Sequence, residues 1–422
     1  MAESPSAAQI NSASVVEADA DTAEKVSSAV ARLYDAYPFP PEPLLDEAPP
    51  GYNWRWHWPS AYSFCTGRKP ASDQVRILDA GCGTGVSTEY LVHLNPDAEV
   101  VGIDLSGGAI AVATERCQRS GADRVTFHQL SIYDVEQIPG EFDLINCVGV
   151  LHHMPDPIRG LQALANKLKL GGILHIFVYA ELGRWEIQLT QEAIGLLQGD
   201  RRGDYSDGVA VGRSLFSSLP EQNRLRKREE TRWALENQRD ECFADMYVHP
   251  QEIDYNVKTL FELIDSSGLD FVGFSNPQYW ELSRLIGDAP DLMARVEQMT
   301  QRDRYRLTEV LDPEVTHYEF FLARSPLEKV DWSEDAALLA AVPERHACME
   351  GWPSRTFFNY DYQVISVTEA EFAFLEKCDP GQTQSVAAIL AENQQTDGLE
   401  LDLAGVRSLQ SRQLIMLTPL QN

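Results

Sequence analysis

Residues Val75-Arg76-Ile77-Leu78-Asp79-Ala80-Gly81-Cys82-Gly83-Thr84-Gly85 run from an apolar strand through an acid into a glycine-rich turn. The next apolar run, Val100-Val101-Gly102-Ile103-Asp104, closes on another acid. A buried strand that breaks into such a turn, followed by a second strand ending in a carboxylate, builds a nucleoside pocket at the carboxyl edge of a parallel sheet. Gly81, Gly83 and Gly85 supply positive φ and leave no Cβ between the backbone and a ligand. Asp104 stands where a carboxylate accepts both hydroxyls of a ribose. The turn is Gly-x-Gly-x-Gly followed by Val86, not the Gly-x-Gly-x-x-Gly that seats a dinucleotide pyrophosphate on a helix N-terminus. Asp79 at its mouth would repel a pyrophosphate and suits a cationic amino-acid tail.

The stretches that follow keep one plan. Val86, Tyr90, Leu91 and Leu94 recur at helical spacing, as do Ala109, Ile110, Ala113 and Cys117. Val125 to His128 is a short strand, and Phe142 to Val148 is a near-continuous apolar strand of the kind covered on both faces. Ile158 to Leu168 is the next helix, ended by Gly171-Gly172, and Ile173 to Tyr179 the next strand. This alternation demands an α/β fold with a parallel sheet and right-handed crossovers. Val257 to Ser267 then forms a helix capped by Gly268, before strands Leu269 to Phe274 and His317 to Ala323, which are expected to pair antiparallel.

Leu78-Asp79-Ala80-Gly81-Cys82-Gly83-Thr84-Gly85 resembles the first motif of the class I S-adenosylmethionine-dependent methyltransferases, and Asp104 their acidic end of the second strand. Phe142-Asp143 with Gly149-Val150-Leu151-His152-His153-Met154 resembles their fourth motif. Leu168-Lys169-Leu170-Gly171-Gly172 resembles their Leu-x-Pro-Gly-Gly, with Leu170 replacing the proline. Tyr34-Asp35-Ala36-Tyr37-Pro38-Phe39-Pro40 resembles a segment ahead of the core in a group of bacterial members. The resemblance implies a Rossmann-like, seven-stranded methyltransferase sheet and S-adenosyl-L-methionine as cofactor. It assigns Asp79, Gly81, Cys82, Gly83, Gly85, Asp104, Leu105, Ser131, Ile132 and Val148 to the cofactor pocket. Where members often carry Gly-Asp-Ala after the third strand, this chain has Leu130-Ser131-Ile132. Ser131 or Asp134 then accepts from the adenine amino group, and Ile132 packs on the ring. Methyl transfer chiefly requires the acceptor to be fixed about 3–3.5 Å from the methyl carbon in a dry pocket. Catalytic candidates are His152 and His153, one pointing into the site and one anchoring its loop, then Tyr179 and Tyr37.

Net charge is −29, a field that repels phosphates and disfavours nucleic acid as substrate. Arg224, Arg226, Lys227, Arg228 and Arg232 alternate with Glu229 and Glu230, which makes a solvated helix face of i,i+3 and i,i+4 pairs or a patch for an acidic partner. No run of 18 uncharged apolar residues provides a membrane span. The N-terminus lacks the basic and apolar regions of a signal peptide. Seven scattered cysteines show no metal-ligand spacing and suit a reduced cytosol, so a cytoplasmic protein without a metal is expected.

The expected organisation is a disordered stretch at 1–25, a lid segment at 26–70, the methyltransferase domain at 71–326 and a small C-terminal domain at 330–422. In the lid segment Tyr52, Trp54, Trp56 and Trp58 alternate as one face of an extended strand, which either cements the segment to the sheet edge or covers the sulfonium. An insertion at 180–256, with a glycine-rich loop at 199–212, is expected to roof the acceptor site. Tyr279 to Arg306 is expected to be a second insertion, helical and amphipathic. The tail holds 14 Asp/Glu against 5 Lys/Arg and resembles a winged helix by pattern. Because the sheet closes near Ala323, a chain ending at Ser325 is expected to fold and bind cofactor. The expected function is methyl transfer to an N or O acceptor, with a side-chain amide or amine of a partner protein ahead of a small molecule. A non-catalytic cofactor-binding scaffold is opposed by the intact Asp79, Gly81, Gly83 and Asp104.

Overall fold

A computed structural model describes residues 20–287, 289–397 and 400–419. Its centre is a seven-stranded sheet of β1 (Arg76–Ala80), β2 (Glu99–Asp104), β3 (Val125–Gln129), β4 (Phe142–Val148), β5 (Leu168–Tyr179), β6 (Asp270–Phe274) and β7 (His317–Ala323), in the order β3-β2-β1-β4-β5-β7-β6. The first five strands run parallel, and β7 is antiparallel to both its neighbours. Adjacent residues alternate between the faces: Leu78, Val101, Ile145, Leu174 and Phe320 join one core, Ile77, Val100, Leu144, Ile173 and Phe321 the other. Both faces are covered, which explains the unbroken apolar runs. This is the Rossmann-like methyltransferase architecture.

Several boundaries differ from the sequence expectation. Gly171-Gly172 does not end a helix, since the helix stops at Lys167 and β5 starts at Leu168. The glycines form a bulge against β4, pinned by Gly171 N–H to Arg324 O and Arg324 N–H to Gly172 O. The expected glycine-rich loop is largely a helix, Tyr205–Ser218. Gly208 and Gly212 belong there because a Cβ would meet Val248 and Phe243 at 2.3 and 2.6 Å. The span 279–306 is broken into short helices, among them Ser283–Ile286 and Pro290–Val296, with Gly287 between them at φ +60°. The basic stretch is anchored by tertiary pairs as well as by Arg226–Glu230: Arg228 reaches Glu186 at 2.8 Å and Arg232 reaches Glu314 at 2.8 Å.

A helix at Ala20–Ala36 begins within the stretch expected to be disordered, while residues 1–19 lie outside the described residues. Leu33 on this helix is buried with Ile187, Ile194, Phe243 and Tyr247 of the insertion. The four alternating aromatics do not form an extended face. Trp54–Trp56 is a 3₁₀ turn capped by the Asn53 side chain, and Trp58 opens a helix to Thr66. In the tail, Thr356–Phe358 and Val364–Ser366 pair as a hairpin, but the last strand, Ile415–Thr418, pairs with Val342–Arg345. Among the described residues no helix is long and apolar enough to cross a membrane.

Candidate functional site

A cavity of about 400 Å³ opens at the carboxyl ends of β1, β2, β4 and β5, where Gly81, Asp104, Val148 and Tyr179 line it. At one end Asp104 is held by two backbone donors, Gly83 N–H and Ser106 N–H, each 2.9 Å from a different carboxylate oxygen. Each oxygen keeps a further lone pair for a ligand. Burial raises the Asp104 pKa, and the two N–H bonds oppose that shift. Leu105, Ile132 and Val148 supply apolar wall, and Cys82, Gly83 and Ser131 complete this end. The Cys82 thiol is raised well above its usual range by burial, so it stays protonated. Ser131 Oγ also caps a turn by accepting Tyr133 N–H at 3.2 Å, and Asp134 does not line the cavity. A fixed carboxylate for a diol, a side-chain-free turn at Gly81 and Gly83, and apolar walls fit S-adenosylmethionine. Asp104→Ala is expected to weaken cofactor affinity at least about tenfold, since each charge-assisted hydrogen bond contributes roughly 1.5–3 kcal/mol. Unchanged affinity by calorimetry in a folded variant would remove Asp104 from the site.

The chain from residue 27 to residue 40 lines the same cavity. Ser27, Val30, Ala31 and Tyr34 lie on one face of the first helix and line the cavity. Phe39 and Pro40 follow, with Phe39 O accepting Thr84 N–H at 3.2 Å and Pro40 O accepting the Thr84 hydroxyl at 2.6 Å. Asp35 accepts from Ser106 Oγ at 2.6 Å.

Two residues assigned to the cofactor pocket stand behind its wall. Asp79 is buried and accepts from Ser87 Oγ, Thr88 Oγ1 and Asn146 Nδ2 at 2.6–2.8 Å. Asn146 Oδ1 in turn accepts from Trp56 Nε1 at 3.0 Å, and Trp56 lines the cavity. The acid therefore sets the position of an aromatic wall. Gly85 begins the helix Val86–Leu94, and a Cβ there would meet Ala113 at 2.7 Å, so its role is close helix packing.

At the other end stand Tyr34, His153, Tyr179 and Asp245. His153 Nδ1 lies 2.9 Å from Gln251 O. A carbonyl only accepts, so Nδ1 carries the proton and Nε2 of the neutral ring is an acceptor. Burial holds His153 neutral down to about 3. His152 is fully buried and off the wall, and it stacks on Tyr179 at 3.9 Å between centroids. Tyr179 also packs against the Arg184 guanidinium, 3.4 Å from its centroid, which Glu252 holds at 3.1 Å. Tyr37 is not on the wall. It packs with Leu33 outside the cavity, and Tyr34, one turn earlier, takes that place. Asp245 accepts the Tyr34 hydroxyl at 2.9 Å, and burial pushes its pKa up to about 7. Sequence reasoning did not single out Tyr34 or Asp245, and it left Trp56 open between a sheet-edge and a lid role. The helical spacing of residues 27, 30, 31 and 34 signalled the first, whereas nothing local marks Asp245 among the acids of the insertion.

Residues 71–194 match a family model described as a methyltransferase domain. An uncharacterised protein of Synechococcus sp. is 63% identical over 399 residues, covering 94% of this chain and 95% of its own length. The uncharacterised phycocyanin operon protein W of Pseudanabaena tenuis is 77% identical over 96 residues, 23% of this chain and 91% of that protein. Among solved structures, PKMT2 from Rickettsia typhi superposes with a TM-score of 0.60 at 14% identity, covering 88% of this chain and 77% of that one, and it shares the fold.

Proposed function

We propose, for a chain that belongs to the class I S-adenosylmethionine-dependent methyltransferases, that the methyl acceptor is a side-chain nitrogen, amide or amine, of a partner protein. The observation that carries this reading is the continuation of the cavity past the cofactor end to Tyr34, His153, Tyr179 and Asp245. Bound S-adenosylmethionine supplies an electrophilic methyl group. The chain's own part is to seat the ligand on Asp104 and the glycine turn, to exclude water with the segment at 27–40 and Trp56, and to orient the acceptor. His153 Nε2 is an acceptor for an N–H, and the Tyr179 phenol, its pKa raised by burial, is a donor for a carbonyl. That pair suits a nitrogen that arrives with a proton. Residues 195–256 of the insertion and the tail lie outside the matched methyltransferase domain and offer surface for a partner protein. The name of the Pseudanabaena relative adds a specific partner to test, a phycocyanin subunit, because products of one operon commonly act together.

The test is incubation of the purified chain with methyl-labelled S-adenosylmethionine and cell lysate, followed by separation of proteins from small molecules. Label in a protein band, retained after hydrolysis as an N-methylated residue, is the expected result. Label confined to the small-molecule fraction overturns the protein reading and favours a small-molecule acceptor, which the apolar cavity wall also suits. Unlabelled fractions from an active cofactor-binding preparation favour the scaffold.

A further inference from the structure

We propose that Asp245 is the proton acceptor of the transfer and that the Tyr34 hydroxyl positions it, an inference that rests on the acceptor nitrogen bearing a proton. Asp245 lies in the helix Asp240–Tyr247 of the insertion, is 7% exposed and lines the cavity. Among the described residues the side chain that donates to it is Tyr34, on Oδ1, and no cation forms an ion pair with it. The nearby Arg184 is instead engaged by Glu252 and Asp254, at 3.1 and 3.6 Å. A buried carboxylate without a cation partner is costly and is retained where its chemistry is used.

The other polar groups of this end are poorer proton sinks. His153 is held neutral by burial, so it accepts a hydrogen bond without readily taking the proton. His249 stacks on it at 3.7 Å between centroids, and its Nδ1 accepts Gln251 N–H, which leaves its proton on Nε2. His152 is off the wall, and burial keeps the Tyr179 phenol protonated. Asp245 alone has its pKa brought to the working range, about 7, by burial, the Tyr34 bond partly opposing. In the step, the acceptor's nitrogen lone pair forms the new N–C bond. The electron pair of the broken S–C bond stays on the departing sulfur, and the proton lost from nitrogen passes to Asp245.

The experiment compares wild type, Asp245→Asn, Asp245→Glu and Tyr34→Phe on lysate with methyl-labelled S-adenosylmethionine, reading initial rates in whichever fraction carries label. The fraction decides the acceptor class, and the ratio of variant to wild type decides the role of Asp245, so the two readings fail separately. Asp245→Asn is expected to bind S-adenosylhomocysteine like wild type while its rate falls roughly 10²–10⁴-fold, with partial recovery in Asp245→Glu. The wild-type rate should rise with pH through about 7 as the carboxylate ionises. Tyr34→Phe removes a bond that favours the ionised form, so its profile should shift to higher pH with the rate regained above it. Full activity in Asp245→Asn, or a Tyr34→Phe profile unmoved from wild type, overturns the proposal. If Asp245→Asn does not fold, the Tyr34→Phe profile alone supports or overturns it.

Discussion

Removing residues 326–422 is expected to abolish cofactor binding, although the sheet itself closes at Ala323. Trp54 is fully buried between Phe64, Phe321 and Tyr360 of the tail, with ring centroids 5.0, 5.9 and 5.7 Å away. Asp361 accepts from Trp54 Nε1 at 3.2 Å and pairs with Arg55 at 3.3 Å, and Tyr362 stacks on Tyr52 at 4.7 Å. Further along, Trp332 Nε1 donates to Gly67 O at 2.6 Å and Lys69 pairs with Glu344 at 2.7 Å. The tail is thus the outer wall of the segment whose Trp56 lines the cavity. Uncovering a large apolar side chain costs about 1.5–3 kcal/mol, and several would be uncovered in a fold whose net stability is of order 5–15 kcal/mol. A truncated chain should therefore melt far below the full chain or aggregate. Calorimetry showing a soluble truncated chain with full-length affinity would mean the tail is dispensable for the site and would restore the expectation drawn from the sheet boundary.

Gly83→Val should abolish binding as completely, and for two reasons. Gly83 has φ +51°, where a β-branched residue is strained by about 1–3 kcal/mol. A Cβ there would also stand 2.6 Å from Phe39 O, on backbone that cannot swing away without releasing the closing segment. Displacing that segment pulls Phe39 and Pro40 off the cavity, and distorting the turn removes the Gly83 N–H that orients Asp104. Cys82→Ala, next to it, should keep most of the affinity because the thiol is a neutral, buried filler. Wild-type binding by Gly83→Val, or complete loss in Cys82→Ala, contradicts these roles for the turn.

The central architecture is legible in the sequence because it is written in local patterns. A run of apolar residues ending in Asp79, three glycines with positive φ and a second run ending in Asp104 leave one economical arrangement, and the structure has Asp104 accepting from Gly83 and Ser106 as that arrangement requires. Alternation of strand and helix likewise specifies the parallel part of the sheet. Local patterns fail where glycine serves packing. Gly208 and Gly212 look like loop residues until Val248 and Phe243 are set against them, and Gly171-Gly172 look like a helix end until Arg324 pairs across them.

What tertiary structure alone decided is which side chains face one another across long sequence separations. Asp79 is a carboxylate at a strand end, as its sequence context implies, but Asn146 and Thr88 turn it inward, so that it holds Trp56 through Asn146 and does not line the cavity. Trp54 and Trp56 alternate in sequence, yet a 3₁₀ turn sends one to the tail and the other to the cavity. Asp245 acquires its raised pKa from burial against a helix more than two hundred residues earlier in the chain, whose Tyr34 reaches it. The amino-acid order by itself determines each residue's chemistry and local backbone preference, which suffice for the sheet, the glycine turn and the cofactor class. The dielectric, the partner and the direction of each side chain are set by whatever packs against it, and for the acceptor end of this cavity that is the first helix and the insertion together.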